Sequence, residues 1–124
     1  MRMTFRAVAI GIVVLLAATT PALAVGPHDG AYAVVETLPG SSDLQTTLVV
    51  LQNGTSLGLA FLFPEGFWVF GVGILSPSNQ IQGPLTQSDG SPYGAFDLTI
   101  ADGHVNGSIE EQGTTYSASG QRIF

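Results

Sequence analysis

The sequence predicts an all-β domain, a small antiparallel up-and-down meander of about eight strands closed into a barrel. Three observations predict it. After Ala24 no stretch carries helical periodicity, and all but one of the chain's 16 Gly and all but one of its 7 Pro punctuate short β-type runs there instead. Leu48 to Leu75 is three apolar runs, split by the turn signals Asn53-Gly54 and Pro64-Glu65-Gly66, with no charge inside any run. The second half also repeats itself. Gln80-Ile-Gln-Gly-Pro-Leu85 matches His104-Val-Asn-Gly-Ser-Ile109, and Gly90-Ser-Pro-Tyr-Gly-Ala95 matches Gly113-Thr-Thr-Tyr-Ser-Ala118. A repeat of about two dozen residues is one hairpin unit, which fits a meander.

Residues 1–24 read as a secretory signal peptide. Arg2 and Arg6 form a positive start, Ala7 to Ala18 is an unbroken apolar run, and Ala22-Leu23-Ala24 offers a small-residue cut after Ala24. The run is short of the ~20 residues a spanning helix needs, so no integral membrane segment is expected after cleavage. The expected destination is the periplasm or the medium. Residues 25–124 then form a single domain with one cation, Arg122, against nine acids, and no Cys. One cation cannot displace the counterions of a nucleic acid, so no nucleic-acid partner is expected. An exported domain without disulfides must be held by its core.

The strands follow in order. Val25 to Asp29 is a leader, and the first strand is Gly30 to Thr37. After the loop Leu38 to Asp43, the second runs from Gln45 to Gln52. Asn53-Gly54 predicts a type I′ hairpin, whose two central residues need positive φ. The third strand is Thr55 to Leu62 and the fourth Phe67 to Leu75. Ser76 to Asn79 turns the chain into the fifth, Gln80 to Thr86. Ser88 to Pro92 leads to the sixth, Tyr93 to Ile100, and Asp102-Gly103 makes a tight hairpin to the seventh, His104 to Glu110. The eighth is Thr114 to Phe124. Gly83 and Gly107 occupy equivalent strand-interior positions and predict bulges or bends. Repeated bends favour closure, which also removes edge strands; the alternative architecture is an open β-sandwich. The eight-strand count resembles the architecture of lipocalins and avidins, a likeness that implies a barrel and carries no function.

Side chains alternate faces along a strand. The fifth to eighth strands have one apolar and one polar face: Ile81, Leu85, Phe96, Leu98, Ile100, Val105 and Ile109 point in, with Tyr116, Ala118 and Gly120 on the same side. Strands two to four are apolar on both faces. Monomers rarely expose an apolar patch beyond several hundred Å². The expectation is therefore a protein-protein interface, with a homo-oligomer or another protein as partner, on Val49, Leu51, Leu62, Phe67 and Val69. The alternative is a carrier whose interior takes a small apolar ligand beside Phe61, Trp68, Phe70 and Phe96, which places Trp68 and Phe70 inside.

Signals for chemistry are thin. Gly54-Thr55-Ser56-Leu57-Gly58 spells G-x-S-x-G, but a nucleophile elbow needs a strand-to-helix turn, and here a hairpin runs into a strand. His28 and His104 are two scattered histidines in a chain without Cys, so no metal site is expected; His28 reads as solvated leader. Glu110 and Glu111 are adjacent and point to opposite faces. Arg122 is expected to pair with an acid. No cofactor and no enzymatic constellation is expected.

Overall fold

The computed structural model describes residues 26–124. The expected export segment and the cut after Ala24 lie outside the described residues. The strands are β1 (Gly30–Thr37), β2 (Leu44–Asn53), β3 (Ser56–Leu62), β4 (Trp68–Ile74), β5 (Gln80–Gln87), β6 (Pro92–Ala101), β7 (His104–Glu111) and β8 (Thr114–Arg122). Each pairs antiparallel with the next, and β1 pairs with β8 from Tyr32↔Arg122 to Thr37↔Ser117, so the sheet is a closed barrel. That pairing settles the choice against an open sandwich. No helix among the described residues is long and apolar enough to cross a membrane.

Local chemistry sets the turns. Asp102 and Gly103 both have positive φ (53° and 76°), the pattern of the predicted type I′ hairpin. The Asn53-Gly54 hairpin differs from expectation by one residue. Asn53 pairs with Ser56, so Gly54-Thr55 is the loop, and the positive φ of 62° falls on Gly54 at the first central position. This is the glycine placement of a type II′ turn. Gln112-Gly113, with φ of 51° and 94°, forms a third two-residue hairpin. The three tight hairpins thus join β2 to β3, β6 to β7 and β7 to β8, and fix their registers.

The two predicted bends resolve differently. The β5–β6 register shifts at Leu85/Thr86, just beyond Gly83. Gly107 is not a bulge: the β6–β7 register runs straight through Gly107↔Leu98. Its φ is +150°, and a Cβ there would run into the Asp97 carbonyl oxygen and sit 2.9 Å from Leu98 Cα. Glycine is required because the β6 backbone presses against it. The β4–β5 seam is the thinnest, paired only at Val69↔Gln87 and Phe70↔Thr86. Pro84 has no N–H to donate to a ladder, and Gly71 and Gly73 lie close against the carbonyls of Pro84 and Gln82.

The interior is filled. Tyr32, Val34, Leu48, Val50, Leu57, Leu59, Phe61, Val69, Ile81, Leu85, Phe96, Leu98, Ile100, Val105 and Ile109 are all buried in one cluster. An eight-stranded barrel is just wide enough for side chains to fill it. One end is closed by residues 26–29. Asp29 accepts from the Gln52 amide at 2.5 Å, the Gln52 side chain accepts from His28 N at 3.0 Å, and Tyr32 donates to the His28 carbonyl at 2.8 Å. Arg122 Nη1 donates to the carbonyls of Pro27 and Asp29, and its guanidinium lies 5.8 Å above the Tyr32 ring. This corrects two expectations. His28 is buried rather than solvated, and Arg122 holds backbone carbonyls in place of a carboxylate.

Candidate functional site

Two regions stand out: the outer wall of β2 to β4, and the end of the barrel opposite residues 26–29.

On the wall, the registers set side chains in rows. Thr47, Leu62 and Trp68 form one row, Val49, Ala60 and Phe70 a second, and Leu51, Gly58 and Val72 a third; Asn53, Ser56 and Ile74 form the last. The first two rows are half-buried because their side chains shield one another. Trp68 and Phe70 stack with centroids 6.3 Å apart. Trp68 Nε1 is buried and has no acceptor. The third row has a gap at Gly58, and Val72 and Ile74 stand out at 72% and 66% exposure. The result is a shallow apolar depression of about 410 Å³ lined by Leu51, Leu57, Gly58, Val72 and Ile74. No acid falls on these outward positions. Asp97 and Glu110 lie on the other side of the barrel, on β6 and β7.

The expected interface set therefore divides. Val49, Leu51 and Leu62 face outward on this wall. Val69 does not: it is fully buried and points in. Phe67 lies just before β4 and packs against the core, stacked on Phe63 at 4.7 Å. The carrier set divides too. Phe61 and Phe96 are interior, while Trp68 and Phe70 are on the outer wall, so the four do not converge. The physical reason is space. Val69, Gly71 and Gly73 take the inward positions of β4, and the Phe96 ring occupies the room that Gly71 leaves, 2.5 Å from where a Cβ would stand. A small-residue inner face on β4 accommodates a large residue from β6.

The opposite end carries the features least visible in the sequence. Glu36 at the end of β1 is fully buried, and neither of its carboxyl oxygens receives a hydrogen bond. Glu111 at the end of β7 lies within hydrogen-bonding reach of it. Tyr93 donates to Glu111 Oε1 at 3.2 Å, while Glu111 Oε2 is buried without a partner. The Thr46 hydroxyl lies beside Glu36 and is also unpaired. Burial, reinforced by the neighbouring Glu111 carboxylate, pushes the Glu36 pKa up to about 9. The Tyr93 hydroxyl is raised as well, by burial and then by Glu111. Phe63, Phe67 and Tyr93 form an aromatic trio at the same end, with Tyr93 5.9 Å from each phenylalanine.

Alternation was the available signal for this cluster. Glu36 continues the inward series Tyr32, Val34, and Glu111 continues Val105, Gly107, Ile109. Adjacent Glu110 points outward, as expected, and accepts from Gly113 N at 2.6 Å. The G-x-S-x-G segment lies on the Gly54-Thr55 turn, with Ser56 exposed at the start of β3. Among the described residues, no group of three or more His, Cys, Asp or Glu gathers to hold a metal. No family model matches the chain. No curated protein matches it in sequence.

Proposed function

We propose that this chain is an exported, non-enzymatic barrel domain that works by association through the outer wall of β2 to β4, with a second copy as its partner. The observation that carries the reading is the uncovered apolar depression beside Val72 and Ile74 on a wall free of charge. Residues 25–124 carry nine acids and one Arg, so two copies repel over most of their surfaces. This wall lets them meet without bringing carboxylates together. The polar outward positions of β5 to β8 and the apolar interior argue against a barrel surrounded by lipid, which needs the reverse pattern.

Size bounds the strength. Strands of seven residues are roughly 23 Å long and three of them roughly 14 Å wide, so each copy contributes on the order of 300 Å². Stable complexes bury about 800 Å² per partner. Association through this wall alone is therefore transient, micromolar or weaker.

Gly58 provides a clean test. A Cβ there would meet only the Leu51 carbonyl oxygen, at 4.0 Å, so Gly58→Asp puts a charge in the depression without a clash. Sedimentation velocity on residues 25–124 should show a concentration-dependent dimer, and Gly58→Asp should abolish it while the melting temperature holds. A wild-type chain that stays monomeric up to about millimolar concentration would overturn the reading. So would a dimer indifferent to both Gly58→Asp and Val72→Asp.

A further inference from the structure

The barrel end holding Glu36 and Glu111 leaves polar atoms buried and unsatisfied in one place, and these are the groups that cost most when left without partners. Glu36 Oε1 and Oε2, Glu111 Oε2 and Thr46 Oγ1 have no well-aligned hydrogen bond, although Glu36 lies within reach of both Glu111 and Thr46. The cluster also lacks a protein counter-ion. Among the described residues the basic side chains are His28, His104 and Arg122, and all three belong to the opposite end: His28 in the closing turn, His104 at the start of β7, and Arg122 bonded to Pro27 and Asp29. A carboxyl group as fully buried as Glu36 must be neutralised by a proton or a cation.

We propose that this end of the barrel binds a small organic cation, a primary alkylammonium, whose N–H donors go to Glu36, Glu111 and Thr46 and whose alkyl chain lies against Phe63, Phe67 and Tyr93. An ammonium has three donors and no acceptor, which complements a set of orphaned acceptors. Aromatic faces beside carboxylates are the usual surroundings of a desolvated ammonium. A calcium- or magnesium-type ion fits less well, because it asks for about six oxygen ligands or more. Glu111, Phe67 and Tyr93 are half-buried at this end, whereas Glu36 is fully buried. Without a cation beside it, burial and Glu111 keep Glu36 protonated near neutral pH. The cation takes that proton's place, so binding releases a proton to solvent. The titratable groups facing Glu36 are Glu111 on β7 and Tyr93 on β6, with Tyr116 on β8 beside Tyr93.

The test is calorimetric titration of residues 25–124 with n-butylammonium chloride near neutral pH, in two buffers of different ionisation enthalpy. The expected result is one-to-one binding with proton release, and NMR shifts at Phe63, Phe67 and Tyr93 but none at Val72 or Ile74. Tetramethylammonium, which lacks N–H donors, should bind at least about tenfold more weakly. Glu36→Gln should lose about tenfold or more in affinity and all of the proton release, with its folded state verified by circular dichroism. The proposal is overturned if butylammonium gives neither heat nor shifts with folded wild-type protein, if the shifts fall on the outer wall, or if calcium chloride binds there and butylammonium does not.

Discussion

On β6 and β7 the outward positions include Asp97, Thr99, Asn106, Ser108 and Glu110; on β2 to β4 they include Val49, Leu51, Ala60, Leu62, Trp68, Phe70, Val72 and Ile74. The inward positions of both regions are mostly aliphatic or aromatic and buried. The difference teaches that the fold needs only one apolar face per strand. Strands β6 and β7 meet that need and keep their outer face in water, where Gln80 Nε2 donates to Asp97 Oδ1 at 2.9 Å. The second apolar face of β2 to β4 is surplus to folding, and its exposed residues cost solubility unless something covers them.

Substitution can break this comparison. The largest effect is expected at Gly107, where Gly107→Val forces a Cβ into the Asp97 carbonyl at a φ that side chains avoid. The cost should exceed about 4 kcal/mol, and urea unfolding should find the variant largely unfolded. Next comes a matched pair of isoleucines. Ile109→Ala, at a fully buried inward position, should cost about 2–5 kcal/mol, while Ile74→Ala on the outer wall should stay within about 0.5 kcal/mol. Equal costs in thermal melts would mean that the outer wall is part of the core after all.

The interior acid sharpens a different contrast, that between the two ends of the barrel. Glu36 has a folded-state pKa raised to about 9 from an ordinary 4.5, so the folded chain holds a proton that the unfolded chain gives up. Its contribution is fully present below the ordinary value and is lost as pH rises through that window. Melting temperature should therefore fall between mildly acidic and alkaline pH. Glu36→Gln should flatten this profile and raise stability at alkaline pH by about 2 kcal/mol or more, because the amide stays neutral. A wild-type profile flat across the window would show that the carboxyl is not held protonated. The smallest effect is expected at the outer face of β6, where Asp97→Asn weakens one exposed bond to Gln80 and should cost no more than about 0.5 kcal/mol.

Much of this architecture is legible in the residues. The all-β class, the eight strands and the inward series Phe96-Leu98-Ile100 and Val105-Ile109 follow from alternation and from Asp102-Gly103, because both act over a few residues. The two-faced character of β2 to β4 is equally local. The site was less legible. Alternation alone leaves two choices for a strand that is apolar on both faces, so Trp68 and Phe70 were expected inside, with Phe67 and Val69 outside. Glu36 and Glu111 are separated by most of the chain, and nothing near either one signals the other.

By itself, then, the sequence determined what nearest neighbours determine: strand, turn, and the face wherever one face is polar. Closure of β1 on β8, the facing of β4 and the meeting of Glu36 with Glu111 were decided by tertiary structure. The reason is volume and long-range register. A barrel of this size holds a fixed amount of side chain, and once Phe96 fills the space over Gly71, Trp68 and Phe70 must point outward. Closing the barrel then brings the ends of β1, β6 and β7 together, and with them the two acids and Tyr93.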